Sequence, residues 1–293
     1  MKQKSVYGFI LLTLSCVFIF ITSCAKRNLE ISSPEETVHL IFDWEHLSSE
    51  DVKPLDMNII FYGSDGSALV KNCSSDGFMG TLPLDTYRVL AYNVGSSNVG
   101  YIHLESCSSA SAYVSPQAGS KYLLQPSCLY GGYLSELNVT QGQPVTTTIK
   151  LLPYIRKAKI KLLFTGTASA VSSCNCVLNG LADSLKIATG EYLGSDGAVS
   201  FTPSAVSDGY ESTVQLFGRL STARNILGVT LNFIGGESKN IDVDISSALS
   251  KLSYSVTSVS LILTIDISGS SFTGFHGTLE NWYITDDKNV EAH

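Results

Sequence analysis

Cysteine is the residue type whose placement suggests chemistry in this chain. There are seven cysteines among 293 residues. Cys24 follows Ile21-Thr22-Ser23, at the end of an apolar run that begins at Val6. A branched apolar residue three positions before a cysteine, with a small residue directly before it, is typical of a bacterial lipobox. Lys2 and Lys4 precede the run, which is shorter than the roughly 20 residues of a membrane span and suits a signal peptide.

We therefore expect residues 1–23 to be a signal peptide that is removed before Cys24, taking Cys16 with it. Cys24 would then be acylated, and its acyl chains would attach the protein to a membrane. An ordinary secretory signal and an uncleaved N-terminal anchor are the alternatives. Residues 24–36 are polar and without periodicity, so we expect them to form a lipidated tether.

The five remaining cysteines could form disulfides or bind metal. Cys174 and Cys176 are two positions apart, unlike the Cys-x-x-Cys spacing of redox helices and zinc knuckles. On a strand they would share one face, where neighbouring cysteines rarely bridge each other. An envelope location permits disulfides, but the pairing stays open, and an odd number leaves at least one thiol free. The five are Cys73, Cys107, Cys128, Cys174 and Cys176.

No catalytic, cofactor-binding or metal site is expected from the remaining residues. The chain has no Gly-x-Ser-x-Gly segment for a hydrolase nucleophile and no glycine-rich phosphate loop. His39 lies on the outward face of a predicted strand. His46 lies beside Asp43 and Glu45 and could bind a metal ion with them, but such a group of three in one turn is common by chance. The net charge of −7, without a basic stripe, disfavours nucleic acid as a partner. We therefore predict a protein that is not an enzyme.

The elements that carry these residues are predicted to be almost all β-strands. Short β-branched and aromatic runs are separated by turn residues, as in β-sandwiches. Alternation in the first run would bury Val38, Leu40, Phe42 and Trp44 on one face. The predicted strands are 38–44, 57–62, 86–93, 121–124, 134–139, 145–151, 158–164, 177–181, 212–217, 226–233, 241–245 and 258–267.

Other segments are predicted to be loops or helix. Residues 108–117 and 204–210 are rich in serine and are expected to be surface loops. Residues 246–252 could form one short helical turn.

A repeated tripeptide suggests that the chain is built from two similar halves. Ser-Asp-Gly occurs at 64–66 and 75–77, and again at nearly the same offset at 195–197 and 207–209. The tripeptide is common turn chemistry, so coincidence stays open. Pro153 interrupts the strand pattern between the halves. We predict an N-terminal β-sandwich over 37–152 and a C-terminal β-sandwich over 153–293.

Taken in order, these segments resemble the fimbrillin-family lipoproteins of Bacteroidetes. The chain is most similar to the branch catalogued as a domain of unknown function, DUF5119, which is related to anchor and accessory subunits of type V pili. The resemblance covers roughly residues 38–285. It rests on Ile41–Trp44, Met57–Tyr62, Asp65-Gly66, Leu82-Pro83, Tyr87–Asn93, Arg156, Lys159–Lys161, Phe164–Gly166, Leu178–Ala182, Thr189-Gly190 and Phe275–Trp282.

The resemblance implies two tandem transthyretin-like, Greek-key sandwiches in a lipoprotein at the outer membrane, facing the cell surface. It also implies assembly with other fimbrillin subunits by donor-strand exchange, in which a segment of one chain completes a sheet of another. Stalk subunits of such pili need an arginine-specific cleavage that releases the first strand. Arg27 lies too early for that, Arg88 lies inside a predicted strand, and Arg156 lies beyond the domain junction. The resemblance therefore favours a non-polymerising protein of fimbrial anchoring, assembly or cell adhesion, held by lipid on Cys24.

Two other functions compete with this one. The first is a surface glycan-binding lipoprotein of a polysaccharide-uptake system, which would need an aromatic platform. Only Trp44 and Trp282 are available as tryptophans, and Trp44 is predicted to be buried. The second is an envelope hydrolase, for which no motif exists.

Overall fold

Alternating apolar and polar residues fold almost entirely into β-strands. The computed structural model describes residues 34–165, 171–267 and 277–284. The strands up to the predicted domain junction are β1 (Glu35–Asp43), β2 (Asp56–Tyr62), β3 (Ala68–Ser74), β4 (Gly77–Pro83), β5 (Asp85–Asn93), β6 (Val99–Ile102), β7 (Ser111–Val114), β8 (Tyr130–Val139), β9 (Val145–Lys150) and β10 (Leu152–Pro153).

The second half continues in the same manner and adds one helical turn, α1 (Ser246–Leu249). Its strands are β11 (Arg156–Thr165), β12 (Val171–Leu181), β13 (Ser184–Lys186), β14 (Tyr192–Leu193), β15 (Gly197–Phe201), β16 (Ser204–Val206), β17 (Gly209–Leu216), β18 (Ile226–Phe233), β19 (Ser238–Asp244), β20 (Ser258–Asp266) and β21 (Gly277–Ile284).

The first half is an eight-stranded sheet folded on itself into a sandwich. Its order is β10-β8-β5-β2-β3-β4-β1-β9. Strands β3 and β4 share only the pair Ser74–Gly77, so the sheet bends there into two layers. The apolar faces of the two layers enclose a core that includes Leu40, Phe61 and Val89, all of them fully buried.

The second half is a sandwich of two separate sheets. One has the order β15-β12-β18-β19 and the other β16-β17-β11-β20-β21. The core between them includes Cys174, Leu227 and Leu261. The predicted all-β, sandwich-forming fold is confirmed. The signal peptide that is part of that prediction lies outside the described residues.

The two halves repeat one strand order. In the first half the layers are β8-β5-β2-β3 and β4-β1-β9, and in the second they are β19-β18-β12-β15 and β17-β11-β20. In both, the first strand is antiparallel to one neighbour and parallel to the other. Gly77 opens β4 and Gly209 opens β17, and a Cβ on either glycine would fall on a carbonyl oxygen, of Leu40 or of Leu162. The Ser-Asp-Gly repeat therefore marks equivalent corners of a duplicated fold.

A third core joins the halves. A four-stranded sheet, β14-β13-β7-β6, pairs β7 of the first half with β13 of the second. Ile60 and Leu90, from the outer face of the first sandwich, pack there with Leu185, Ile187 and Phe217 from the second half. All the described strands belong to one compact unit that begins at Glu35. The division into domains at residue 152 stays a prediction.

Three local predictions were wrong. The predicted loop 108–117 contains β7, and the loop 204–210 contains β16 and the start of β17. Residues 121–124 make only isolated bridges at Leu123, to Pro116 and Val199, instead of a strand. β7 pairs with β13, and Leu123 bridges to Val199, both far along the sequence, so the local pattern does not reveal these contacts. β16 pairs with the neighbouring β17, but it is only three residues long and lies in a serine-rich segment. The predicted helical turn is confirmed as α1. Within the described residues, no helix is long and apolar enough to cross a membrane.

Candidate functional site

The predicted lipidation site and most of its tether precede the described part of the chain. The last two residues of the predicted tether, Glu35 and Glu36, belong to β1, because they pair with β4. Cys24 and Arg27 both lie outside the described residues, so acylation of Cys24 stays a prediction. The described residues start at Pro34, directly before β1. The first strand is therefore the element that would connect a lipid anchor to the folded protein.

Strand β1 is held on both sides. It pairs with β4 from Glu35 to Ile41 and with β9 from Val38 to Asp43. Val38 and Leu40 are fully buried in the first core. At the entry to the strand, the backbone N–H of Gly142 donates a hydrogen bond of 2.7 Å to the Glu36 carboxylate. The first strand is an integral part of the sandwich.

The described arginines in the first half and at the junction are not placed for release of that strand. Arg88 lies in β5, which is paired on both sides, with β2 and β8. Arg156 is fully buried at the start of β11. Its Nη1 donates to the carbonyl oxygens of Pro153 and Ile155, and its guanidinium lies 5.2 Å from the ring centroid of Tyr254. A protease that must accommodate an arginine side chain cannot reach Arg156 in the folded chain.

The two sandwiches differ at one sheet edge. In the second half, β21 pairs with β20 along its length and packs Leu279 and Trp282 against the core. In the first half, β9 is the counterpart of β20, and no described strand pairs with its outer edge. An unpaired strand edge presents backbone donors and acceptors that can take up another strand. The sequence alone did not reveal this edge, because it follows from the order of strands in the sheet.

The five cysteines of the folded part carry free thiols. Cys174 and Cys176 share one buried face of β12, as predicted, and their Sγ atoms are 3.9 Å apart. The hydrogen bond between the two thiols, together with burial, raises the pKa of Cys176. Burial raises the pKa of Cys73 to about 11. Thiols with raised pKa values are poor nucleophiles at neutral pH. Cys107, Cys174 and Cys176 are buried and act as packing residues, whereas Cys128 is exposed.

Neither tryptophan offers an open platform for a sugar ring. Trp44 was predicted to be buried but is only half-buried, because β1 ends at Asp43. Its indole Nε1 donates a hydrogen bond of 2.7 Å to the carbonyl oxygen of Ser75. The Nζ of Lys53 lies 5.4 Å from its ring centroid. Trp282 packs against the second core, with the Nζ of Lys251 5.8 Å from its ring centroid.

The histidines do not assemble a metal site in the described chain. His39 is on the outward face of β1, as predicted. His103 lies 3.5 Å from the Glu105 carboxylate on the surface. Among residues 34–165, 171–267 and 277–284, no three side chains of His, Cys, Asp or Glu come together to hold a metal ion. The weak hypothesis for His46 therefore finds no support there.

Comparison with solved structures places this fold among proteins of Bacteroidetes. A candidate adhesin from Bacteroides ovatus is similar with a TM-score of 0.65 at 20% identity, over 78% of this chain and 89% of that one. The fimbrial anchor protein Mfa2 from Porphyromonas gingivalis is similar with a TM-score of 0.61 at 10% identity, over 89% and 100%. Proteins from Bacteroides thetaiotaomicron described as candidates for polysaccharide binding give a TM-score of 0.57 at 11% identity, over 88% and 98%. At these identities the likeness establishes the fold.

The family is established from the sequence. No curated protein matches this chain. A family model described as "Domain of unknown function (DUF5119)" matches residues 23–202, which is more than half of the chain. The matched segment includes the whole first sandwich, the junction and the beginning of the second sandwich. The chain therefore belongs to the DUF5119 family.

Proposed function

We propose that this protein is a lipid-anchored, non-catalytic, fimbrillin-like protein of the cell envelope that acts in fimbrial anchoring or assembly, or in cell adhesion. The lipid on Cys24 would hold it at the outer membrane, facing the cell surface. Its family and its shared fold with a fimbrial anchor protein support this function. The observation that carries it is the position of β1, which is paired on both sides. Among the described residues, neither Arg88, inside β5, nor the buried Arg156 is placed for its release.

The partner in this proposal is an extended segment of another fimbrillin subunit, and the outer edge of β9 would receive it. The edge runs from Val145 to Lys150 and contains three consecutive threonines, which favour strand pairing. The second sandwich shows that the equivalent edge of β20 takes a strand, β21. Strand addition would keep β1 in place and so would not need proteolysis.

Proteolysis of the purified protein tests the retention of β1. The protein is incubated with an arginine-specific protease and then separated on denaturing gels without boiling. We expect no ladder of polymers, and mass spectrometry should find β1 still attached to the folded chain. A ladder that grows with protease would contradict the proposal and indicate a stalk subunit.

Lipidation is tested in cells by labelling with tritiated palmitate. The wild-type chain should carry the label and fractionate with the outer membrane. Cys24→Ser should lose the label, whereas Cys128→Ser, which changes an exposed cysteine of the folded part, should keep it. An unlabelled wild-type chain would exclude the lipoprotein function.

The edge of β9 is tested with two single proline variants, Thr146→Pro and Thr147→Pro. Successive backbone N–H groups of a strand point to opposite edges, so one variant removes a bond to β1 and the other changes only the outer edge. We expect both to reduce fimbriation of cells, but only one to lower the melting temperature strongly. If the variant that stays stable supports normal fimbriation, the outer edge is not the acceptor.

A further inference from the structure

A groove of about 500 Å³ lies on the outer face of the five-stranded sheet of the second sandwich. The register places Thr213, Lys159, Ser260 and Tyr283 in one row across β17, β11, β20 and β21. The next row along the sheet contains Glu211, Lys161, Ile262 and Asn281. The volume is in the range of ligand sites, about 300–1,000 Å³.

Charges of both signs alternate in and beside this groove. Lys159 Nζ lies 3.0 Å from the Glu50 carboxylate, and Lys161 Nζ lies 2.7 Å from the Asp208 carboxylate. The hydrogen bond to Asp208 holds the pKa of Lys161 above its usual value. Glu211 adds a further carboxylate to the lining. The lysines are therefore already neutralised by acidic side chains, and the groove has no net positive charge to attract a polyanion.

The groove also offers hydroxyl groups and an apolar side. Thr213, Ser260 and Ser204 line it together with the phenol of Tyr283, and Ile262 contributes a hydrocarbon surface. A sugar hydroxyl both donates and accepts hydrogen bonds, so it can bond to an ammonium, a carboxylate and a hydroxyl at once. The carbon-bound hydrogens of a sugar ring can pack on a tyrosine ring and on isoleucine.

We propose that this groove binds a segment of a neutral polysaccharide. The inference deepens the adhesive part of the proposed function by naming a site and a ligand class, and it does not depend on lipidation or on the β9 edge. The aromatic contact comes from Tyr283 on β21 and not from either tryptophan. The mixed charges of Lys159, Lys161 and Glu211 hold hydroxyl groups through hydrogen bonds.

Affinity electrophoresis of the purified full-length protein in neutral detergent tests this site. Native gels contain yeast mannan, barley β-glucan, amylopectin or xyloglucan, and a separate gel contains heparin. We expect at least one neutral polysaccharide to retard the protein. Tyr283→Ala should weaken that retardation at least about tenfold in Kd, which corresponds to ~1.4 kcal/mol. Thr213→Trp, which fills the groove from an exposed position, should do the same.

The matched control is Tyr133→Ala, which removes an exposed tyrosine of β8 in the first sandwich that is not part of the groove lining. It should leave the retardation unchanged, and the melting temperature of each variant verifies folding. The proposal is overturned if no neutral polysaccharide in the panel retards the protein, or if heparin alone does. It is overturned equally if Thr213→Trp folds and binds like the wild type. The palmitate and proteolysis experiments would be unaffected by any of these outcomes.

Discussion

The guanidinium of Arg156 is charged and fully buried between the two halves. Only its Nη1 has hydrogen-bond acceptors, and neither Nε nor Nη2 has a partner in the described part of the chain. A buried donor without a partner costs about 1–3 kcal/mol, and more for a charged group. The ring of Tyr254 offsets part of this cost.

We predict that Arg156→Met does not lower the free energy of unfolding and can raise it, because methionine fills similar space without a buried charge. Arg156→Ala should be less stable than Arg156→Met by about 2–5 kcal/mol, since it leaves a cavity. Urea unfolding followed by circular dichroism measures both. A loss of more than about 2 kcal/mol in Arg156→Met would show that the guanidinium is required.

Asp244 gives the stability a dependence on acidic pH. Hydrogen bonds from Ser246, and then those from Arg224, lower the pKa of its carboxyl to about 2. The stabilisation that the ionised Asp244 carboxylate gives is therefore complete above the ordinary carboxyl pKa, and it is lost as the pH falls from about 4 to about 2. We expect Asp244→Asn to be less stable than the wild type at pH 7 and equally stable at pH 2. A constant difference between the two proteins across this range of pH would contradict the assignment.

At the scale of elements, the corner glycines of the duplicated fold should be sensitive. We predict that Gly77→Ala and Gly209→Ala each destabilise the protein by at least about 2 kcal/mol, because the new methyl group falls on a backbone carbonyl oxygen that cannot move aside easily. Gly235→Ala is the control, since a Cβ there meets nothing within 4 Å. Thermal unfolding of the three variants provides the comparison. Similar melting temperatures for all three would show that the corners relax.

Sequence patterns predicted the elements whose burial is one-sided and whose partners are near. The alternation in β1 identified its buried face, with Val38, Leu40 and Phe42 in the core. Strands β6, β7 and β13 were missed because they are short and belong to the sheet that joins the two halves, in which β7 pairs with β13. Strand β3 was missed because most of its residues are exposed and it has no alternating apolar pattern.

The candidate surfaces were less predictable than the strands. The outer edge of β9 and the groove on the five-stranded sheet are properties of strand order and of lateral register. Lys159 and Tyr283 are far apart in sequence and share a row only because β20 lies between their strands. The spacing of residues within one segment cannot predict that these two side chains lie in the same row of the sheet. Cys24, by contrast, depends on a local motif and could be proposed from sequence alone.

At the scale of the whole molecule, the shared third core should make the two sandwiches unfold together. Each half contains one tryptophan, so two variants report the halves separately: Trp282→Phe leaves the fluorescence of Trp44, and Trp44→Phe leaves that of Trp282. We predict that the two variants unfold in coincident transitions. Leu185→Ala removes a fully buried side chain of the shared core. It should lower the free energy of unfolding by about 2–5 kcal/mol, and both fluorescence probes should report the same loss. Two separate transitions, with only one of them shifted by Leu185→Ala, would show independent domains.

The central position of β1 has a mechanical consequence. If the residues before β1 tether the chain to a membrane, a load on the cell surface pulls on Glu35, the first residue of the strand. Because β4 and β9 flank β1 along its length, the pull shears many backbone hydrogen bonds at once and does not open them one by one. A strand loaded in shear resists much larger forces than one that is peeled from an edge. With such a tether, the load on the first strand would be shared by both of its neighbours, β4 and β9.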